Sequence, residues 1–297
     1  MSSQASILQV SDLSPQMLQQ VASWLAEADH VLITAGAGMS VDAGFDYTRS
    51  DQFVPRYPVL AARGPQCRYH VFGYAWASEA EQWGHIARHL EELRYAPPPN
   101  ALPYVQLQAL TAGKNRFVLT SNADDLFERS GFDAKHLWTR QGSYSRLQCF
   151  GACDAASTWL ADEWVARAVP AVDLVSEELR DPTLIPHCPT CGGPAMLNVR
   201  GGDWFIDAPY LPQGERFGEW WSQAQGGQLL VLDVGSGFNT PSVVRWPAEQ
   251  LAERHRQGRL VRVNREYPQV PAELGGRGLG LGLACSGGEL WQALTAL

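Results

Sequence analysis

Short apolar runs that each end at a glycine or polar turn constrain this chain more than any other feature. Val31-Leu32-Ile33-Thr34-Ala35 stops at Gly36-Ala37-Gly38-Met39-Ser40, and Arg116-Phe117-Val118-Leu119-Thr120 breaks into Ser121-Asn122-Ala123-Asp124-Asp125. Gln228 to Val234 stops at Gly235-Ser236-Gly237-Phe238-Asn239-Thr240-Pro241, and Leu260-Val261-Arg262-Val263 ends at Asn264. Apolar runs of roughly four to eight residues bounded by turn signals read as strands buried on both faces. Polar residues just past the carboxyl ends of such strands sit where open α/β sheets bind ligands. Helical patterns fill the gaps. Ser14-Pro15 reads as an N-cap with proline at the first helical position, followed by Met17, Leu18, Val21, Trp24 and Leu25 on one face. Residues 51–115 read as mostly helical, with Ser78 to Tyr95 the clearest stretch and Leu102 to Ala112 ending at Gly113. The fold expected is α/β, with a Rossmann-like parallel sheet.

The turn Gly36 to Gly44 would let backbone N–H groups approach a pyrophosphate, although a Gly-Ala-Gly turn alone is as consistent with a simple tight turn. Four of the six cysteines form close pairs, Cys149 with Cys153 and Cys188 with Cys191. That spacing predicts a structural zinc held by four thiolates, with no coordination position left open for chemistry. Cys67 and His187 read as ordinary packing and loop residues. Thiols used this way point to a reducing compartment, hence a cytoplasmic protein. A net charge of −8 without a basic run argues against nucleic acid as the main partner. No window approaches the roughly 18 apolar residues of a membrane span. The first residues, MSSQASILQVSDLS, lack the basic head and apolar core of a signal peptide. Between the cysteine pairs, Ser157 to Pro170 and Leu174 to Arg180 are expected to be helical or irregular.

The order Thr120-x-Asn122-x-Asp124, then Gln141-Gly142-Ser143, then paired cysteines, resembles the sirtuins. With the glycine turn and the two late strand ends, the resemblance covers nearly the whole chain. It implies an NAD-binding domain of residues 1–140 and 206–297, with a helical insertion at about 51–112 and a zinc-binding module at 141–205. It implies cofactor contacts at Ala35, Gly36, Ala37, Gly38, Ser40, Gly44, Tyr47 and Arg49 around the first turn. Further contacts follow at Ser121, Asn122, Asp124 and Gln141, at Gly235, Ser236, Gly237 and Asn239, and at Asn264 and Cys285. Gly282 to Leu297 resembles the family's closing turn and helix.

Two departures stand out. Gly44-Phe45-Asp46-Tyr47-Thr48-Arg49 keeps the arginine of the family segment but loses its proline and phenylalanine. More consequentially, the catalytic histidine of the deacylase-type sirtuins is Gln141 here. Together with Asn198-x-Arg200 and Gly237-Phe238-Asn239-Thr240-Pro241, this looks most like the macrodomain-linked branch, called class M. That resemblance implies protein mono-ADP-ribosyl transfer from NAD, a lipoylated carrier protein as acceptor and a macrodomain hydrolase as partner. A glutamine cannot take a proton as histidine does, and removing a general base typically costs a factor of roughly 10² to 10⁴. Breaking the glycosidic bond and trapping the ribosyl carbon with an anionic nucleophile needs no such base. In this reading Asn122 orients the ribose or the nucleophile and Asp124 grips the nicotinamide amide. Gln141 bonds ribose hydroxyls or the acceptor, and Arg200 positions an acidic acceptor, although Arg200 reads equally as a solvated surface arginine. The competing readings are an NAD glycohydrolase, an NAD sensor without chemistry, and a deacylase using Tyr47 or Asp46 as base.

Overall fold

The apolar runs become strands because both of their faces are covered. A computed structural model describes residues 13–297, so most of the stretch examined for a leader, 1–12, lies outside the described residues. Its strands are β1 (His30–Ala35), β2 (Asn115–Thr120), β3 (Leu137–Thr139), β4 (Gly142–Cys149), β5 (Thr158–Leu160), β6 (Ala195–Val199), β7 (Leu229–Val234), β8 (Gly258–Val263) and β9 (Gly280–Leu283). Six of them form one parallel sheet in the order β3-β2-β1-β7-β8-β9. Along β1, Val31, Ile33 and Ala35 join one core cluster while Leu32 joins the other, on the opposite face. The alternation repeats in β7, with Leu230 and Leu232 on one side and Leu229 and Val231 on the other. Successive side chains of a strand point to opposite faces, so continuous apolar runs fit a sheet covered by helices on both sides.

Counted within this sheet, the strands run third, second, first, fourth, fifth, sixth. This is the doubly wound order, whose switch point lies between β1 and β7. Ser14 caps the helix Pro15–Glu27 by accepting from the Met17 N–H at 3.3 Å, as its sequence predicts. The helix Glu79–Leu90 starts at a capping Ser78, and its carboxyl end widens into a π turn over Glu91–Tyr95. Leu102–Leu110 is helical, and Gly113 follows in the left-handed region.

A second, antiparallel sheet has the order β5-β4-β6, with Leu147 opposite Leu197 and Cys149 opposite Ala195. Asp162–Ala168 is helical as expected, and one expectation is corrected here. Thr158–Leu160 is strand β5 rather than helix or loop, because it pairs with Arg146 to Gln148 of β4. Leu174 to Arg180 is irregular, within the expectation, with an isolated bridge from Val172 to Leu179. Near the carboxyl terminus, Gly282 lies inside β9 beside Arg262 rather than in a turn. The turn follows it, and a capping box at Ser286 and Glu289 opens the helix Gly287–Thr295. No helix among the described residues is long and apolar enough to cross a membrane.

Candidate active site at the switch point

Two glycine turns, one leaving β1 and one leaving β7, meet at the carboxyl edge of the sheet. The Gly38 N–H donates to the Gly235 carbonyl at 3.0 Å, and the Gly36 N–H to that of Val234 at 3.0 Å. The approach is too close for side chains. A Cβ on Gly38 would lie 2.6 Å from the Gly235 Cα, and one on Gly36 would lie 2.7 Å from the Gly235 oxygen. Gly235 itself has φ +66°, a conformation glycine adopts without steric cost. These turns and the loops after β2 and β8 line a cleft of about 580 Å³.

On the β2 side, the segment Ser121 to Asp125 is held rigidly. The Asn122 N–H donates to Thr120 Oγ1 at 3.0 Å, and its Nδ2 to the Gly36 carbonyl at 2.9 Å. Asp124 is buried. It accepts from Ser40 Oγ at 2.5 Å and from the Leu126 N–H at 3.0 Å. Burial pushes its carboxyl up to about 6, against a smaller downward pull from Ser40. Asp125 adopts φ +55° and turns away, accepting from Ser143 Oγ at 2.6 Å and Arg94 Nε at 2.7 Å. The loop is thereby braced against β4 of the second sheet.

Gln141 immediately precedes β4 and lines the same cleft, and its Oε1 is buried without a partner. No histidine lines the cleft among the described residues. The nearby His89 is buried behind Tyr144, ring to ring at 5.1 Å, and burial holds it well below its usual value. Tyr47 also lines the cleft. Its hydroxyl lies 2.7 Å from that of Tyr144, and burial drives its proton loss well above the ordinary value. Asp46 caps its own turn, accepting from the N–H and the hydroxyl of Thr48 at 2.8 and 2.6 Å.

The cleft brings together most residues that the sequence singles out. Gly36, Ala37, Gly38, Ser40, Tyr47, Ser121, Asn122, Asp124, Gln141 and Arg200 line it, as do Gly235, Gly237, Asn239, Asn264 and Cys285. Four expected cofactor contacts are not among the lining residues. Ala35 ends β1, its carbonyl accepting from the Ser121 N–H at 3.0 Å. Gly44 sits at φ +96° against Pro99. Ser236 is buried, with its hydroxyl on Asp233 at 2.6 Å. Arg49 is exposed and ion-paired with Asp51, so its guanidinium is engaged away from the cleft. Asn264 lines the cleft, but its side chain is spent on the backbone of Ser236, Glu266 and Tyr267. Arg200 lies over the Phe205 ring at 4.3 Å, with Asp207 at 3.6 Å. Asn198, two residues earlier, is fully buried and bonds Gln148, Ile206 and Tyr210, so it is a structural hub.

Sequence reasoning missed Tyr69, Phe72, Tyr144 and Tyr267, which also line the cleft. No motif marks them, and only Tyr144, directly after Gly142-Ser143, has a position that could have signalled it. Tyr69 even reaches across the mouth, its Oη accepting from Asn239 Nδ2 at 3.3 Å.

The four cysteines converge as their spacing predicts. Their sulfur atoms lie within 4.8 Å of one another. Cys149 is 3.7 Å from Cys191 and Cys153 is 3.7 Å from Cys188. A tetrahedron with zinc–sulfur bonds of ~2.3 Å has edges of about 3.8 Å, so the cluster fits a structural zinc ion.

This chain has the sirtuin fold. It superposes on a Sir2 homologue in complex with NAD with a TM-score of 0.55 at 19% identity, over 94% of this chain and 92% of that one. No protein-family model matches it. In sequence it is 36% identical, over 98% of its length, to a probable bifunctional ADP-ribose hydrolase/ADP-ribosyltransferase of Fusarium oxysporum f. sp. cubense. The chain spans about half of that relative, 49%. It is also 28% identical to a protein ADP-ribosyltransferase of Staphylococcus aureus, over 82% of this chain and 77% of that protein.

Proposed function

We propose that this protein is an NAD-dependent protein mono-ADP-ribosyltransferase. The observation that carries this reading is Gln141, a buried and unpartnered acceptor in the cleft where a deacylase-type sirtuin would carry its histidine. The similarity to two proteins named as ADP-ribosyltransferases supports it. NAD would supply the ADP-ribosyl group. Its pyrophosphate suits the close-packed glycine turns, and its nicotinamide end suits the pocket of Ser40, Asn122 and Asp124. Asn122, whose amide is pinned to the Gly36 carbonyl, orients the ribose or the incoming nucleophile. Asp124 holds the nicotinamide amide. Gln141 uses its free Oε1 to accept from a ribose hydroxyl, and Arg200 positions an acidic acceptor group.

As the C1′–N glycosidic bond breaks, nicotinamide leaves with the bonding electron pair. An acceptor carboxylate then forms the new bond to C1′, and no proton needs removing. A base would be needed only for deacylation; of the two candidates in the cleft, the Tyr47 hydroxyl is paired with Tyr144 and Asp46 is engaged by Thr48. The same proposal divides the chain into residues 1–140 plus 206–297 and a module of 141–205, which contains the whole second sheet. It takes the class M branch, a lipoylated carrier protein as acceptor, a macrodomain hydrolase as partner and a reducing, cytoplasmic setting.

The test is the intact mass of a lipoylated glycine-cleavage-H-type carrier after incubation with this protein and NAD, beside its unlipoylated form. One added ADP-ribose, lost in Asn122→Ala, is the expected result. Free ADP-ribose without an adduct would make the protein a glycohydrolase. NAD binding without nicotinamide release would make it a sensor.

A further inference from the structure

Beneath the second glycine turn lies a group of four charges, three of them buried and Glu249 partly exposed, that none of the roles above uses. Asp233 and Arg262 are 0% and 1% exposed, and Arg245 is 2% exposed. Asp233, in β7, accepts from Thr34 Oγ1 at 2.9 Å, Ser236 Oγ at 2.6 Å and Arg262 Nε at 2.6 Å. Arg262, in β8, also donates from Nη1 to Glu249 at 2.8 Å and to the Gln269 carbonyl at 2.7 Å. Arg245 spends its fork on backbone, donating to the carbonyls of Ser236 at 2.9 Å, Tyr267 at 3.1 Å and Gln269 at 3.3 Å. Its guanidinium also covers the Phe238 ring at 4.4 Å, and Phe238 meets Tyr267 edge to face at 5.2 Å. Two arginines face the buried Asp233 and the partly exposed Glu249, so the charges of the group balance.

Every bond from Arg245 ends on one of two loops, the turn after β7 or the segment after β8. Gly237, Phe238 and Asn239 of the first and Asn264 to Tyr267 of the second line the cleft. Between strands whose other buried side chains are Leu and Val, a buried ion pair is a costly way to gain stability. Apolar residues of similar volume often do as well or better. What the charges provide that apolar residues would not is direction, because a guanidinium fork fixes several carbonyls at once. Ser236 shows the result. Its carbonyl accepts from Arg245 and from Asn264 Nδ2, and its hydroxyl donates to Asp233, so its peptide is held on three sides.

We infer that Arg245, with the Asp233–Arg262 pair beneath it, is a positioning device that sets the two loops of the cleft and thereby the affinity for an ADP-ribosyl ligand. The ligand class rests on the function proposed above. The placement of the loops does not.

The experiment compares wild type, Arg245→Met and the apolar double variant Asp233→Leu with Arg262→Met. Each is read by ADP-ribose affinity, by KM and kcat for NAD, by thermal melting, and by amide hydrogen exchange without ligand. In the folded variants, Kd and KM should rise by about tenfold or more, the scale of one lost charge-assisted hydrogen bond. The value of kcat at saturating NAD should stay within about threefold, since the network acts only through the loops. Exchange should quicken over 235–240 and 264–269 and not in the other strands. A merely structural role would instead lower melting and quicken exchange throughout the sheet. A folded variant with unchanged affinity and unchanged loop exchange overturns the inference. Should Arg245→Met not fold, Arg245→Lys keeps the charge but loses the fork, and unchanged affinity and exchange there overturn it equally. Should wild type bind no ADP-ribose, the NAD reading fails while the exchange comparison still decides the network.

Discussion

At Asp124 the chain keeps a carboxyl group where water cannot solvate it. Burial raises it from 3.8 to about 6. The folded protein therefore holds this proton more tightly than the unfolded chain does. Stability falls as pH rises between those two values, and the cost is complete above about pH 6. Asp124→Asn should remove a cost on the order of 3 kcal/mol at pH 7. The gain should shrink as pH falls and vanish below about pH 4, which melts of both proteins from pH 4 to 8 would reveal. The same variant should lose transfer, because stability and function pull against each other at this residue. Gln141→Ala should lower transfer by about tenfold to a hundredfold, the worth of a hydrogen bond to a charged or developing-charge group. Single-turnover nicotinamide release would measure it. Asn122, Asp124 and Gln141 were legible in the sequence because a strand end and a linear order suffice to place them. The bond from Ser40 to Asp124 was not, since it joins residues 84 positions apart through the register of two strands. Nor was the turning aside of Arg49, which a neighbouring Asp51 decides.

Among elements, long strands announced themselves and short ones did not. β1, β2, β7 and β8 are rich in β-branched and aliphatic residues and lie in the sheet interior, so composition and burial agree. β3 and β5 have three residues each and exist only because a neighbour pairs with them. No local pattern of that length separates strand from loop. β4 joins the two halves of the site, and its first residue is the most constrained glycine there. Gly142 has φ +93°, and a Cβ on it would lie 2.1 Å from the Asn198 carbonyl oxygen. Gly142→Ala should therefore destabilise the protein by about 2 to 4 kcal/mol and displace Gln141 beside it. Urea unfolding gives the first effect, and the loss of transfer in whatever folded protein remains gives the second.

For the molecule as a whole, the second sheet serves two sites, with the cysteine cluster at one end of β4 and Gln141 of the cleft just before its other end. Native mass spectrometry should find one zinc per chain, and Cys188→Ser should lower both zinc content and melting temperature. With four thiolates filling the tetrahedron, no position is left for substrate, so partial zinc loss should cost stability before it costs chemistry. The doubly wound order itself was not legible, although the strands and their ligand-bearing ends were. Sequence order along a chain does not say on which side of β1 the later strands will settle. That placement has a consequence for the newly made protein. Thr34 and Asp233, bonded to each other beneath the cleft, stand 199 positions apart. The turn at Gly36 acquires its partner only when Gly235 arrives. Until residue 235 of 297 has left the ribosome there is no place for a dinucleotide to lie. A chain ended before Gly235 therefore carries the first turn without the partner that completes the cleft.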